Sequence, residues 1–514
     1  MASTSAVSRS PYSTTHPVLV VNSLADPKPS QQTTPPLTPP AGNRKDSLLD
    51  FNDLTLSQFA VSQDEEPLVA VLGCGYVGTN LIGEFRGHYN VLGFDISLKQ
   101  IEIAKGVHGG EGSRASFTVA PEDLSKATHF LVSVPTLLLE DKSIDTSYVR
   151  SALELISKHA RQGSTIVIES SVAVGMTRQL VGPLAKERGF FAGMSPERVD
   201  PGRTDPPMHA IPKVVSGLDD VVPGSLSAIS RLYSRVFDTI FPVSKPEVAE
   251  MMKLYENCQR MVCIAYANEM ADACVPHGID PWEVCRAAST KPFGYMPFTP
   301  SLGVGGHCIP VNPYYLLSNS DFPLLKNATE KMWQRPAAVG QKALDALFNA
   351  QNEEDVLLRP SVPHIDSGID VTFDAADEKF HTKKPDGADD HDKFSETTAV
   401  QSRRSSVDSA STLSSRARVL VVGMGFKPGQ SVLSNSPGVQ LTQSLADSGR
   451  ADVMFADPLV KQSAIPLIPR LDDESWNKHM LETFDMIIVA IKQTGVDLSI
   501  LEELEGVKVQ KWYA

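Results

Sequence analysis

The chain reads as an α/β protein of two Rossmann-like, doubly wound domains joined by a long central helix. Three observations predict it. A compact apolar strand over 68–72 runs into Gly73-Cys74-Gly75-Tyr76-Val77-Gly78 and then into a helical pattern. A long amphipathic pattern spans 245–275, and a second apolar strand over 418–422 runs into Gly423-Met424-Gly425-Phe426-Lys427-Pro428. Strands alternating with helices build a parallel sheet with helices on both faces.

Residues 1–66 are rich in Ser, Thr and Pro and read as a disordered tail, in which 47–51 has the weak pattern of a short docking helix. Residues 67–244 form the first Rossmann-like domain: after the glycine turn, a strand over 91–94 ends at Asp95, and further strands are expected at 130–134 and 165–169. Residues 245–350 form a central helical domain. Pro246 stands at the helix start, where a missing N–H does no harm, and Pro276 and Gly278 stop the helix. Apolar residues at 248, 251, 252, 255, 262 and 266 make a stripe that suits an oligomer contact and core packing equally. A second helix is expected over 281–288. Residues 351–416 are charged and poor in apolar side chains, which is the composition of a disordered insertion. Within it, Arg403-Arg404-Ser405-Ser406 suits a basophilic kinase and suits an unmodified linker as well. Residues 417–514 resume as the second Rossmann-like domain, with a helix over 439–446 and strands at 452–456 and 486–490.

A length of 514 residues with 41% hydrophobic content is enough for two or three cored domains. The net charge of −14 argues against nonspecific binding to nucleic acid or anionic membranes. Six cysteines form no CxxC pair and no Cys/His cluster of ligand spacing, so no metal is expected, and free thiols suit a reducing, cytoplasmic setting. No apolar run has the length of a membrane span, and the N-terminus lacks a secretory pattern.

Gly73, Gly75 and Gly78 fit the dinucleotide motif. The first makes the tight turn, the second lets pyrophosphate approach, and the third lets the helix pack on the strand. Asp95 stands where an acid binds a ribose 2′-hydroxyl and repels a 2′-phosphate, which favours NAD over NADP. Tyr76 and Val77 in the turn, and Pro135 and Thr136 after the 130–134 strand, complete the expected cofactor contacts. A second centre is Gly305-Gly306-His307-Cys308-Ile309-Pro310, bare backbone beside one thiol and stiffened by flanking prolines. A nicotinamide cofactor with a nucleophilic cysteine points to oxidation past the aldehyde to an acid. The same thiol fits a buried structural cysteine. Ser170 and Ser171, after Glu169, could orient a water or ribose, or cap a helix. Ser195-Pro196-Glu197-Arg198 could present a carboxylate or be a plain surface turn. Lys253 and Asn257 share a helix face, suited to oxyanion stabilisation or to solvation.

Together these residues resemble the UDP-glucose/GDP-mannose dehydrogenase family over 67–350 and 417–514. The resemblance rests on Lys253-Leu254-Tyr255-Glu256-Asn257, Asn268-Glu269, Thr290-Lys291-Pro292-Phe293-Gly294 and Gly305-Gly306-His307-Cys308-Ile309-Pro310-Val311-Asn312-Pro313-Tyr314-Tyr315. Ser195-Pro196-Glu197-Arg198-Val199-Asp200-Pro201-Gly202 is similar to the branch acting on UDP-N-acetylhexosamines. The resemblance implies an NAD-dependent four-electron oxidation of a UDP-sugar, within polysaccharide biosynthesis, by a homodimer or higher homo-oligomer. Hydride passes from the C6 alcohol to NAD, Cys308 attacks the aldehyde, a second NAD oxidises the adduct to a thioester, and water releases the uronic acid. It implies that Lys253 stabilises oxyanions with Asn257 in support, that Glu197 serves acid/base steps, and that Ser171 helps place water. It further implies substrate contacts from Arg198, Lys291, Phe293, Gly305, Gly306 and Lys427. Four positions depart from the pattern: Asn312 replaces the aspartate beside the nucleophile, Val432 and Ser434 replace an aspartate and an arginine of the C-terminal motif, and Ser301 replaces a glycine. These departures keep open a non-catalytic NAD-binding paralogue with a regulatory or partner role.

Overall fold

The computed structural model describes residues 66–348 and 416–513. The expected tail with its docking segment, and the insertion with Arg403-Arg404-Ser405-Ser406, lie outside the described residues, Glu66 and Arg416 excepted.

The first unit runs β1 (Leu68–Leu72), α1 (Tyr76–Phe85), β2 (Asn90–Phe94), α2 (Leu98–His108), β3 (Ala115–Thr118) and β4 (His129–Val132). A short hairpin, β5 (Leu137–Leu138) and β6 (Ile144–Asp145), leads to α3 (Ser147–His159), β7 (Thr165–Ile168), α4 (Met176–Arg188) and β8 (Phe191–Met194). β9 (Lys213–Gly217), α5 (Ser225–Tyr233) and β10 (Ile240–Pro242) complete it. Among the described residues the sheet has eight strands in the order β10-β9-β8-β7-β4-β1-β2-β3, parallel except for the β8/β9 pair. Growth reverses direction at β1, so the carboxyl edge of β1 and β4 is the switch point where such sheets take ligands. The strand residues alternate between two cores: Ala70 and Leu72 pack with α3 and α4 residues such as Val149 and Val181, while Val69 and Val71 pack with Leu81, Phe85 and Tyr233.

The central part is α6 (Pro246–Cys274), α7 (Pro281–Ala288), α8 (Asn312–Leu317) and α9 (Pro323–Phe348). Leu254, Met261, Tyr315 and Leu325 are fully buried where α6, α8 and α9 meet. Each such side chain contributes roughly 1.5–3 kcal/mol by leaving water. The apolar stripe of α6 contributes to cores only in part: Val262 packs against this one and Met252 against the core of the first unit. Val248, Met251, Tyr255 and Tyr266 stay exposed, and the buried face is the adjacent one, with Ala249, Leu254, Cys258, Met261 and Ala265. Small side chains on that face let α6 approach its neighbours closely.

The last unit is β11 (Ala417–Val422), α10 (Pro437–Asp447), β12 (Ala451–Ala456), α11 (Lys478–Leu481), β13 (Met486–Val489) and β14 (Lys508–Lys511). Its strands are all parallel in the order β12-β11-β13-β14. It repeats the first unit's turn: Gly423 has φ +86° where Gly73 has +93°. The carboxylate after β12, Asp457, accepts from the Met424 N–H at 2.7 Å, as Asp95 accepts from Cys74. The expected pair of Rossmann-like sheets is present.

Candidate active site

The turn after β1 is shaped for a dinucleotide. A Cβ on Gly78 would lie 1.8 Å from the Gly73 carbonyl oxygen, so only glycine lets α1 pack onto the turn. A Cβ on Gly75 would meet nothing within 4 Å, so that backbone faces open space. Gly75 caps α1 without a side-chain hydrogen bond, which leaves the helix N-terminus available to an anion. Asp95 Oδ2 accepts from Cys74 N and Oδ1 from Ser97 N, both at 2.8 Å. These bonds fix the carboxylate at the strand end. Ser133 Oγ donates to the Gly73 carbonyl at 2.9 Å, and Ser170 Oγ donates to the Val134 carbonyl at 2.6 Å, bracing the segment that carries Pro135 and Thr136. Tyr76 is half exposed on the first turn of α1, and Val77 packs partly against the core. Open backbone, an uncapped helix end and a fixed acid fit NAD.

Cys308 is exposed, so it is not the buried structural thiol its sequence context also allowed. Its carbonyl accepts from Asn312 N at 2.9 Å, in the turn that starts α8. Lys253 and Asn257 are buried rather than on a solvated face. Burial pushes the Lys253 ammonium below its ordinary value against the opposing pull of Cys308, Glu256 and Glu197. The Asn257 amide donates to Asn312 Oδ1 and accepts from Arg260. Asn312, itself buried, is therefore held by one neighbouring amide.

The C-terminal unit closes on this turn. Gly306 N donates to the Ser434 carbonyl at 2.8 Å, and Asn435 Nδ2 donates to the Gly306 carbonyl at 2.9 Å. A Cβ on Gly305 would stand 2.7 Å from Phe426 Cβ and 2.9 Å from Pro437 Cδ. Both glycines make room for Phe426, and Gly305 also for Pro437 at the start of α10, a need set by contact with the C-terminal unit. Lys427 Nζ donates to both Asp200 oxygens at 3.0 Å and to the Pro201 carbonyl at 3.2 Å, so it ties that unit to the loop after β8. Ser301, in place of glycine, donates its N–H to Asn268 Oδ1 at 2.7 Å.

Glu197 is buried, not on a surface turn. Its Oε2 accepts from Lys213 Nζ at 2.7 Å, and its Oε1 accepts from the N–H groups of Arg198 at 2.5 Å and Val199 at 2.9 Å. Burial alone would raise its pKa. The charge and hydrogen bond of Lys213, the Arg198 N–H and Lys253 bring it below the ordinary value. Sequence reasoning missed Lys213, because it lies in no recognisable motif and its partners Glu169 and Glu197 are distant in the chain. It also passed over Glu169 and Tyr233 as members of the site. Arg198 reaches Glu256 at 2.5 Å and the Pro212 carbonyl at 3.0 Å. Ser171 is partly buried beside the bonded Ser170. Lys291 and Phe293 are both exposed and lie against each other, with the ammonium 5.0 Å from the ring centre. Among the described residues no cluster of three or more His, Cys, Asp or Glu side chains could hold a metal, and no helix is long and apolar enough to cross a membrane.

The model of the UDP-glucose/GDP-mannose dehydrogenase family matches twice, its NAD binding domain over residues 68–237 and its central domain over 247–331. UDP-N-acetyl-D-glucosamine 6-dehydrogenase of Pseudomonas aeruginosa is 38% identical over 266 residues, covering 48% of this chain and 62% of that protein. UDP-N-acetyl-D-mannosamine dehydrogenase of Pyrococcus horikoshii is 30% identical over 310 residues, covering 55% of this chain and 72% of that one. The chain belongs to the UDP-glucose/GDP-mannose dehydrogenase family. The match to the family's NAD binding domain identifies the dinucleotide as NAD. The chain spans 61–63% of the length of three curated relatives it matches. In fold it is similar to the solved UDP-D-ManNAc dehydrogenase from Pyrococcus horikoshii, with a TM-score of 0.65 and 24% identity over 87% of this chain and 99% of the other. A UDP-glucose dehydrogenase from Pyrobaculum islandicum has the same TM-score of 0.65 at 20% identity, over 88% and 96% of the two chains.

Proposed function

We propose that the protein is an NAD-dependent 6-dehydrogenase that converts a UDP-sugar to its uronic acid in two oxidations, with a UDP-N-acetylhexosamine favoured over UDP-glucose. The observation that carries this reading is the exposed Cys308 beside buried Lys253 and the Asn257–Asn312 pair, in a chain that also carries the NAD cradle. The names of the relatives and the Ser195-Pro196-Glu197-Arg198 segment support the N-acetylhexosamine branch.

NAD, when bound, supplies the two-electron oxidant for each step. Lys253, held among buried groups, stabilises the oxyanion that develops at C6. Asn257 adds an amide donor, and Glu197 receives the proton that the alcohol loses. Cys308 attacks the aldehyde carbon, the resulting adduct is oxidised to a thioester, and a water placed by Ser171 cleaves it. Arg198, Lys291, Phe293, Lys427 and the Gly305-Gly306 backbone are the proposed contacts to the UDP-sugar. The exposed α6 stripe supports a homodimer, and the free thiols suit a cytoplasmic enzyme whose uronic acid product feeds polysaccharide synthesis.

The second reading is a non-catalytic NAD-binding paralogue. It is favoured by Asn312, whose amide cannot take a proton, and by Ser434, which offers its carbonyl to Gly306 and no guanidinium to a nucleotide. The deciding experiment is NADH formation by the purified chain across a panel of UDP-sugars, with calorimetry of NAD binding alongside. NADH and uronic acid from one sugar support the enzyme. NAD binding without NADH from any sugar supports the paralogue.

A further inference from the structure

Glu197 stands in a buried charge cluster that the proposed reaction leaves unexplained. Glu169 follows β7, Glu197 follows β8, Lys213 opens β9 and Tyr233 ends α5, so adjacent strands and the helix above them each contribute one group. None of the three charged groups is more than 7% exposed. Lys213 Nζ donates to Glu169 Oε2 and to Glu197 Oε2, both at 2.7 Å, and the Tyr233 hydroxyl donates to Glu169 Oε1. The ammonium also lies 5.8 Å and 5.4 Å from the ring centres of Tyr233 and Phe237. A buried array of this kind is weak evidence for stability, because taking each ion out of water costs several kcal/mol.

A carboxylate has about four acceptor positions. On Glu197, Lys213 fills one at Oε2, and the Arg198 and Val199 N–H groups fill two at Oε1. The side chain is clamped at both oxygens and keeps one open acceptor position on Oε2, the geometry of a base that works in one direction. We propose that Lys213 is the positioning residue for Glu197: it fixes the rotation of the carboxylate and keeps it ionised for the proton-accepting step, while Glu169 and Tyr233 hold Lys213 in place. This rests on the acid/base role given to Glu197 above.

One ammonium between two carboxylates leaves one negative charge in excess. Burial pushes Glu169 up to about 7, so near neutrality Glu169 is the group that shares a proton. Glu197 stays below its ordinary value. The titratable groups facing Glu197 are Lys213 from β9, Glu169 from β7, Tyr233 from α5, Lys253 from α6 and Tyr76 from α1. Lys213 is the only one of these that forms a hydrogen bond to Glu197 among the described residues.

The test is the pH profile of NADH formation by the full chain with the responsive UDP-sugar. In Lys213→Met the acid limb should move up by about one pH unit or more, as loss of a charge partner moves a carboxyl. Turnover at neutral pH should fall roughly 10-fold or more, with the NAD dissociation constant within about twofold of the parent. Lys213→Arg should return the limb most of the way. A limb that stays in place in Lys213→Met overturns the proposal. Should Lys213→Met fail to fold, Lys213→Met/Glu169→Gln removes the stranded carboxyl, and the same shift is expected of it. Absence of NADH from every UDP-sugar in the parent would retire the functional reading separately. The Lys213 inference is then read from infrared difference spectra, in the carboxyl band that Glu197→Gln abolishes. Titration of that band at higher pH in Lys213→Met supports it, and titration at the same pH overturns it.

Discussion

Replacing Glu169 by glutamine removes an ionisable carboxyl from the buried cluster but keeps its size and an oxygen for Lys213, with the amide turned to the Tyr233 hydroxyl. Burial is the largest cause of the raised carboxyl pKa, and Lys213 and Tyr233 oppose it only in part. The ordinary value is 4.5 and the folded value about 7. At about 1.4 kcal/mol per unit, that difference corresponds to roughly 3 kcal/mol. The folded state binds the proton more tightly than the unfolded chain. The protonated carboxyl's contribution is therefore fully present below pH 4.5 and is lost as pH rises through about 7. His129 acts in the opposite sense. Burial lowers its pKa from 6.5 to about 4, so its contribution to stability grows with pH between those values. The readable quantity is thus the difference between parent and Glu169→Gln, in which His129 cancels. Urea unfolding at a series of pH values from 5 to 8 should show the parent losing stability relative to the variant by an amount on the order of 2–3 kcal/mol. Any constant offset reports the changed hydrogen bonds and not the titration. A difference that stays flat within about 0.5 kcal/mol across the range would refute the assignment of a near-neutral proton to Glu169.

Gly78→Ala should lower NAD affinity by at least roughly 10-fold by calorimetry, because its Cβ would strike the Gly73 carbonyl at 1.8 Å and displace the turn. Gly75→Ala should leave the melting temperature nearly unchanged, since nothing stands within 4 Å of its Cβ, while still weakening NAD. Equal NAD affinity in both variants and the parent would remove the cradle from this turn. Cys308→Ser should abolish uronic acid formation with NAD binding intact, and undiminished turnover would exclude a thioester. Asn312→Asp leaves an oxygen for the Asn257 amide and supplies a proton acceptor near Cys308, so turnover should rise, by roughly 100-fold if proton transfer limits the rate. No gain would show that Asn312 does not limit the chemistry.

The parts legible in the sequence are those set by short-range rules. The apolar runs at 68–72 and 418–422 followed by glycine turns, the α6 pattern bounded by Pro246 and Gly278, and the helix over 281–288 all recur in the structure within a residue or so. Gly73 and Gly423 were visible because backbone at positive φ and a close helix approach admit little else. Contacts between distant segments left no such mark. Lys213 finds Glu169, 44 positions away, only because β7 and β9 flank β8 in the sheet. Gly305 and Gly306 carry a motif, but their need for Phe426 and α10 exists only once the C-terminal unit has docked. The α6 stripe was ambiguous, since periodicity finds an apolar face but not what lies opposite it. The chain alone determined where backbone turns and which residue types could do chemistry. Tertiary structure decided which charges are buried together, because the energy of a buried charge depends on partners that local sequence does not specify.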